Sequence, residues 1–193
     1  MNLTEIPTDR LLAGFRGLLL EKGVVTEAAL RQSDETMQAA SPARGAEVVA
    51  RAWTDEGFRA RLLADGTRAV EEMGIFLIGA PPLGVVENDA ALHHLIVCTL
   101  CSCYPRALLG YPPHWYKSAA FRARAVRDPR GLLREEWGTE LPAGTRLRVV
   151  DSTADYRWMV LPRRPSGTEG WDAARLAGLI RDTDLIGVTI PTA

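Results

Sequence analysis

All three cysteines of this chain fall in one short stretch, Val97-Cys98-Thr99-Leu100-Cys101-Ser102-Cys103-Tyr104-Pro105. Disulfide frameworks spread their cysteines along the chain, whereas a disulfide within this stretch would leave one thiol unpaired. The short spacings between the cysteines would also strain most pairings. The cluster therefore indicates one chemical site in one loop rather than a covalent scaffold.

Several kinds of site could use such a cluster. A zinc ion or an iron–sulfur cluster would need a fourth ligand, which His93, His94 or His114 could supply. The cysteines could instead be buried as small apolar side chains, but the polar Thr99 and Ser102 between them disfavour this. The density of thiols favours a metal held by the three sulfurs and by nitrogen atoms of the loop itself.

The bulk composition is that of a folded protein. The chain has 193 residues, of which 47% are hydrophobic and 24% charged, and this suits one domain of ordinary size with a short arm. Its 23 basic and 24 acidic side chains give a net charge of -1, so no overall field attracts nucleic acid or an anionic membrane. No apolar stretch approaches the roughly 20 residues that span a bilayer, and no basic-then-apolar leader stands at the N-terminus. We expect a cytoplasmic protein with a small or uncharged ligand.

The first part of the sequence predicts a helical arm, residues 1–42. Apolar residues between Leu11 and Leu19 recur at helical spacing up to Gly23, and Thr26 is a suitable N-cap for a second helix that runs to Met37. The Ser41-Pro42 pair is expected to break the helical pattern. Because its apolar stripe is too small to form a core, the arm must pack on the main body or on another chain.

The remaining residues, 43–193, predict one body in which helices and strands are grouped. Helical patterns cover 46–70, with a new start at Thr54-Asp55, as well as 115–126, 131–137 and 171–180. Short apolar runs at 75–78, 92–97, 147–150 and 156–161 suit extended structure, and the second run leads directly into the cysteines. This grouping favours an α+β fold over a doubly wound parallel sheet.

The string Cys98-Thr99-Leu100-Cys101-Ser102-Cys103 resembles the metal-binding signature of nitrile hydratase alpha subunits. In that family, threonine at the second position goes with cobalt and serine with iron. The resemblance extends to other stretches: Ala52-Trp53-Thr54-Asp55, Leu62-Leu63-Ala64-Asp65-Gly66-Thr67, Val86-Glu87-Asn88, His93-His94, Leu109-Gly110-Tyr111-Pro112-Pro113 and Val160-Leu161-Pro162-Arg163-Arg164-Pro165. It implies a helical N-terminal arm followed by a four-layer α-β-β-α body.

The resemblance also implies a ligand set. Cys98, Cys101 and Cys103 would bind the metal through sulfur, and the backbone amide nitrogens of Ser102 and Cys103 would bind it as well, leaving one position open. Cys101 would carry a sulfinate and Cys103 a sulfenate, both of which belong to the ordinary cysteine oxidation ladder. Anionic nitrogen and sulfur donors stabilise a trivalent ion, Co(III) or as an alternative Fe(III), that remains a Lewis acid.

The activity implied by the resemblance is hydration of a nitrile to the amide. The nitrile would bind at the open position, and the sulfenate oxygen of Cys103, or a water that it activates, would attack the carbon. The resemblance implies a β-type partner subunit, as one chain or two, whose arginines hold the oxidised sulfurs, and an accessory protein that inserts the metal. Nothing in the sequence obviously replaces those arginines, so the chain alone should be nearly inactive.

Five further positions carry weaker predictions. Asp151 matches an acid that lies beside the metal site in the family, although a turn-capping aspartate is an equal alternative. Arg157 and Arg163 could support the site, but arginines in strands and loops are more commonly solvated or paired at interfaces. One imidazole of the His93-His94 pair could support a metal ligand, although such histidines more often simply satisfy packing.

The substrate prediction depends on Arg106, which stands where nitrile hydratases often have a tryptophan after Tyr-Pro. The stretch 75–83 also lacks a glutamine that is common in the family. An arginine near the pocket suits a polar or anionic substrate, such as a heteroaromatic or nucleoside nitrile of the toyocamycin type. Two alternatives stay open: the related thiocyanate hydrolase gamma subunit, and a non-catalytic metal-binding or nitric-oxide-sensing module.

Overall fold

The computed structural model describes residues 7–193, apart from the side chain of Thr36. Met1–Ile6 of the predicted arm therefore lie outside the described residues. The helices are α1 Thr8–Glu21, α2 Glu27–Ala39, α3 Pro42–Thr54, α4 Glu56–Ala64, α5 Gly66–Glu71, α6 Arg106–Leu109, α7 His114–Lys117, α8 Ala119–Arg127, α9 Pro129–Trp137 and α10 Ala173–Ala177. The strands are β1 Leu83–Glu87, β2 Leu92–Val97, β3 Arg146–Asp151 and β4 Arg157–Leu161.

Two pairs of parallel strands form the centre of the molecule. In the first pair β1 lies beside β4, with Leu83 opposite Arg157. In the second pair β2 lies beside β3, with Val97 opposite Asp151. The two pairs contact each other, α4 and α5 cover the first pair, and α8 and α9 cover the second. This α-β-β-α order confirms the predicted α+β fold class.

A turn near the C-terminus ties the two strand pairs together. The carbonyl of Ile186 accepts from the N–H of Ile96 in β2, and the carbonyl of Leu185 accepts from the N–H of Val160 in β4, both at 2.8 Å. Gly187 in the same turn has φ +82°, and a Cβ there would lie 1.9 Å from the carbonyl oxygen of His94. Only glycine fits this close backbone approach.

The arm helices differ in how they contact the body. α2 begins where Thr26 Oγ1 accepts from the N–H of Ala29 at 3.1 Å, and it packs against α6. α1 has no buried residue, and its apolar Leu12 and Phe15 are 64% and 61% exposed. The division into an arm of residues 1–42 and a body of 43–193 stays a prediction. Among the described residues, no helix has both the length and the apolar composition needed to cross a membrane.

The structure corrects two of the sequence predictions. Residues 75–78 do not form a strand, because left-handed turns at Gly74 and Gly79 bound the segment and half-expose Phe76 and Ile78. The strand of this region is β1 instead, which the sequence did not predict because Gly84 interrupts its short apolar run.

Two helix boundaries were also wrong. The single helix predicted over 115–126 is two helices, α7 and α8, because Ser118 adopts extended backbone and caps α8 by accepting from the N–H of Phe121. The Ser41-Pro42 pair begins α3 rather than simply ending the arm, since proline fits the first turn of a helix, where its missing N–H costs nothing.

Candidate metal centre

The cysteine loop begins where β2 ends. β2 is buried from His93 to Val97, and the N–H of Ser152, just after β3, donates to the carbonyl of Val97 at 2.7 Å. Both strands of this parallel pair therefore end at the loop. The carboxyl edge of a parallel sheet is a common place for ligand sites, because chain segments diverge there and leave room.

The three sulfurs converge within this loop. All three Sγ atoms lie within 4.8 Å of one another. The Sγ of Cys101 is 3.5 Å from that of Cys98 and 3.3 Å from that of Cys103. The cysteines are free, so the structure contains none of the disulfides considered as an alternative. Soft sulfur donors at this density suit a transition metal.

Polar contacts from distant elements fix both ends of the loop. Asp151, the last residue of β3, accepts from the backbone N–H of Thr99 at 3.0 Å and from its hydroxyl at 2.6 Å. The hydroxyl of the buried Tyr116 in α7 donates to the carbonyl of Cys103 at 2.8 Å. Arg122 of α8 donates to the carbonyl of Thr99 at 3.4 Å. The loop is thus held in shape before any ligand binds.

The loop's thiols differ in their environments. Cys98 and Cys103 are buried, whereas Cys101 is exposed. Burial, followed by the neighbouring thiol of Cys101, raises the pKa of Cys103 to about 12. Hydrogen bonds from Cys103, from Cys98 and from the backbone amides of Ser102 and Cys103 lower the pKa of Cys101. Of Cys101 and Cys103, Cys101 therefore loses its proton first.

The same contacts place two backbone nitrogens near the sulfurs. The amides of Ser102 and Cys103 are directed at the Cys101 thiol closely enough to stabilise its thiolate. The N–H of Cys101 donates instead to Cys98 Sγ at 3.2 Å. Two loop amides therefore lie close to the Cys101 sulfur, and the ligand set with two backbone nitrogens stays a prediction.

The histidines lie outside this cluster. His93 Nε2 lies 2.8 Å from the carbonyl of Gly187, and His93 Nδ1 lies 3.1 Å from the side-chain amide of Asn88. His94 bonds the carbonyl oxygen of the same Asn88 through its backbone N–H and Nδ1. Within residues 7–193, only the three cysteines form a group able to hold a metal. Both histidines are hydrogen-bonded within the core rather than to the cysteine loop, and no histidine of the described residues joins the cysteine group.

A cationic cleft of about 310 Å³ opens beside the loop. Cys101, Ser102 and Cys103 form one wall, and the basic side chains of Arg106, Lys117 and Arg157 lie around it; no aspartate or glutamate is among the described residues that line it. The guanidinium of Arg106 stacks on the ring of the exposed Tyr111, 4.4 Å from its centroid. The structure thus brings Arg106 and Arg157 to the site, whereas Arg163 lines a different cleft with Trp53.

Sequence reasoning missed Tyr116, Lys117 and Arg122. They lie 13 or more positions beyond the last cysteine and contact or line the site only because α7 and α8 pack over it. The Trp115-Tyr116-Lys117 run predicted a helix, but nothing in it indicated a role at a metal site. Only the folded structure shows that the hydroxyl of Tyr116 bonds the cysteine loop, because the sequence alone does not distinguish it from any other buried tyrosine.

The fold and the loop together define a class of protein: an α+β protein with one cysteine-rich loop, able to hold a metal ion, at the carboxyl end of a parallel strand pair. The chain belongs to the nitrile hydratase alpha chain family, because the family model described as "Nitrile hydratase, alpha chain" matches residues 7–189. Proteins named in this family are subunits of a lyase that acts on carbon–nitrogen bonds.

Individual relatives support this assignment. The chain is 45% identical over 175 residues to the cobalt-containing nitrile hydratase subunit alpha of Pseudonocardia thermophila, which covers 90% of this chain and 86% of that relative. The structure of a double mutant of the Fe-type nitrile hydratase from Comamonas testosteroni Ni1 matches with a TM-score of 0.78 and 41% identity, over 96% of this chain and 90% of the other.

A third match belongs to a different enzyme of the same fold. A recombinant thiocyanate hydrolase with partially modified cobalt centres matches with a TM-score of 0.78 and 36% identity, over 97% of this chain and 91% of the other. Both cobalt and iron proteins therefore resemble this chain. The comparisons define the family and favour cobalt.

Proposed function

We propose that this chain is the metal-carrying subunit of a nitrile hydratase, which converts a nitrile to the corresponding amide at a Co(III) centre. One observation carries the proposal: three thiols lie within 4.8 Å of one another on a loop whose ends Asp151 and Tyr116 hold in place. A loop fixed in this way binds a metal without first having to order itself.

The residues present fit a trivalent ion. Cys98, Cys101 and Cys103 would hold it through sulfur, and Ser102 and Cys103 would hold it through their backbone nitrogens; the amides of both residues interact with the Cys101 thiol, which supports this set. Thr99 occupies the position at which threonine goes with cobalt, so Co(III) is proposed ahead of Fe(III). When bound, the ion supplies a Lewis acid that polarises the carbon–nitrogen triple bond.

The chain's own residues provide the rest of the chemistry. Hydration forms a carbon–oxygen bond, breaks one π bond of the nitrile and moves a proton from the attacking oxygen to nitrogen; a second proton shift gives the amide. Cys103, buried on the wall of the cleft, is proposed to carry the oxygen that attacks the carbon or activates the water that does so. If its own oxygen attacks, the sulfur–oxygen bond breaks and a water oxygen replaces it on sulfur, so one water is consumed by either route. Asp151 is a positioning residue, because it bonds Thr99 rather than facing the cleft.

The cationic cleft bears on the substrate. Arg106 and Lys117 are exposed beside the cysteines, so an electron-rich or anionic group on the substrate would be favoured there. This supports a polar heteroaromatic or nucleoside nitrile, such as toyocamycin, over a simple aliphatic nitrile. The same feature favours the second candidate, a thiocyanate hydrolase gamma-type subunit, because thiocyanate is an anion.

The proposal includes a β-type partner subunit, in one chain or two, and an accessory protein that inserts cobalt. Leu100 at the tip of the loop is 87% exposed and Tyr111 at the cleft rim is 74% exposed. Apolar side chains so exposed beside an active site are typical of a surface that another chain covers.

The discriminating experiment uses the chain co-expressed with its β-type partner and loaded with cobalt. Amide formation from aromatic or heteroaromatic nitriles is the expected result. Release of carbonyl sulfide from thiocyanate without amide formation would favour the thiocyanate hydrolase alternative. A fully loaded complex that does neither would contradict both enzymes and leave the metal-binding or nitric-oxide-sensing module. The matched control is the Cys98→Ser complex, which should be inactive on every substrate.

A further inference from the structure

We propose that Arg157 is a positioning residue that holds the anionic sulfur group of Cys103, a role that sequence reasoning gave only to arginines of a partner subunit. The inference rests on the proposed function, since it concerns the oxidised, metal-bound loop.

The backbone of Arg157 is fixed at the start of β4. It lies opposite Leu83 of β1, and its N–H donates to the carbonyl of Pro82 at 2.9 Å. Its side chain lines the cysteine cleft and also a second cavity of about 310 Å³ that shares Tyr104 and Arg106 as walls. Arg157 therefore borders two cavities, one of which has the cysteine loop as a wall.

The charge of Arg157 is not fully compensated. Its Nη1 is buried and makes no hydrogen bond to the described residues. No aspartate or glutamate is among the residues that line either cavity. A buried cationic donor without a partner is costly, so an arginine in this position indicates an anion that binds beside it.

The buried sulfur of the loop is the anion that the geometry favours. Cys103 is 7% exposed and shares the cleft wall with Arg157, whereas Cys101 is exposed to whatever covers the loop. An oxygen on the Cys103 sulfur would add charge in a place that water reaches poorly, where a guanidinium stabilises it strongly. Arg157 thus stabilises the charge on the buried Cys103 sulfur from within the same chain, and Cys101 remains accessible to a partner subunit.

The test compares Arg157→Gln, Arg157→Lys and the control Arg163→Gln in the cobalt-loaded complex. Arg163 is an exposed arginine just beyond β4 that lines a different cleft. Three quantities are measured: cobalt content, the position of the sulfur-to-cobalt absorption band, and the half-life of the Cys103 oxygen against a thiol reductant, followed by peptide mass. None of these depends on turnover.

Arg157→Gln is expected to shorten the half-life of the Cys103 oxygen by roughly tenfold and to shift the absorption band, because a charged hydrogen bond is lost. Arg157→Lys should restore much of both, and Arg163→Gln should match the unmodified complex. If Arg157→Gln loads no cobalt, rescue of loading by Arg157→Lys likewise supports the proposal.

Three results would overturn the inference. The first is that Arg157→Gln and Arg163→Gln have the same half-life of the Cys103 oxygen and the same position of the sulfur-to-cobalt absorption band. Another is loss of folding in Arg157→Lys as severe as in Arg157→Gln, which would assign the side chain to packing. The third is an unchanged loop with a raised KM for an anionic nitrile, which would assign Arg157 to substrate. An unmodified complex that loads cobalt but forms no amide would contradict the proposed function instead.

Discussion

The proposed ligand set takes some ligands from side chains and others from the backbone of the loop, and this difference can be tested residue by residue. Cys98→Ser replaces a thiolate by a weakly acidic hydroxyl and is expected to abolish cobalt binding. Ser102→Ala removes only a side chain and keeps the proposed amide ligand, so cobalt should be retained. Metal analysis of both purified complexes checks this pair. Loss of cobalt from Ser102→Ala would contradict the proposed backbone ligand.

Asp151 is expected to act through loop geometry. Asp151→Ala removes both hydrogen bonds to Thr99 and should weaken cobalt binding by roughly 10- to 100-fold, as loss of a contact that orients a ligand usually does. Competition with a chelator measures the change. Asp155→Ala is the matched control, because Asp155 is an exposed aspartate in the same turn whose side chain makes no hydrogen bond to the loop. Equal affinities in the two variants would show that Asp151 only caps a turn.

At the scale of elements, the buried histidines make the junction of β1 and β2 sensitive to pH. Burial lowers the pKa of both His93 and His94 below the ordinary value of a histidine. The unfolded chain then binds protons more readily as the pH falls through about 6.5, while the folded chain resists protonation. The contribution of these two histidines to the stability of the fold is therefore constant above that pH and decreases below it.

The free energy of unfolding should thus be lower at about pH 5.5 than at about pH 8, beyond the change caused by other groups. Urea titrations of the complex at both values measure the difference. His93→Gln should reduce the difference, whereas His114→Gln, at an exposed position, should not. A difference of the same size in His93→Gln would contradict the role given to this histidine.

Helices with local start signals could be predicted from sequence. Thr26 and Asp55 each cap a helix by accepting from an N–H three residues ahead, so the signal and the structure lie in one short segment. β1 could not be predicted because its partner, β4, lies some 70 positions away and supplies the hydrogen bonds that make it a strand. The parallel pairing itself follows from tertiary packing rather than from either strand's residues.

The same distinction applies to the site. The three cysteines lie in one segment, and their residue types alone predicted a site there, whereas Ser102 was predicted as a ligand through the family resemblance; all these ligand roles remain predictions. Tyr116 and Lys117 come from another element, so only the folded chain shows that they meet the loop or its cleft. Arg157 was considered from sequence, but its buried, unpartnered nitrogen is a property of the fold.

For the whole molecule, the apolar face of α1 predicts association with another chain. Phe15 is 61% exposed, so Phe15→Glu should leave folding of this chain unchanged and weaken binding of the β-type partner by about tenfold, as loss of an apolar anchor does. Titration of the purified partner measures the affinity. Arg10→Gln on the same helix is the control. Unchanged affinity in Phe15→Glu would mean that α1 does not contact the partner.

The most direct test of the account is intact mass together with metal analysis of the chain purified from the loaded complex. The account predicts equimolar cobalt and added oxygen confined to the peptide that contains Cys101 and Cys103, with Cys98 unmodified. Zinc in tetrahedral coordination, or a disulfide between two of the three cysteines in the loaded protein, would contradict it.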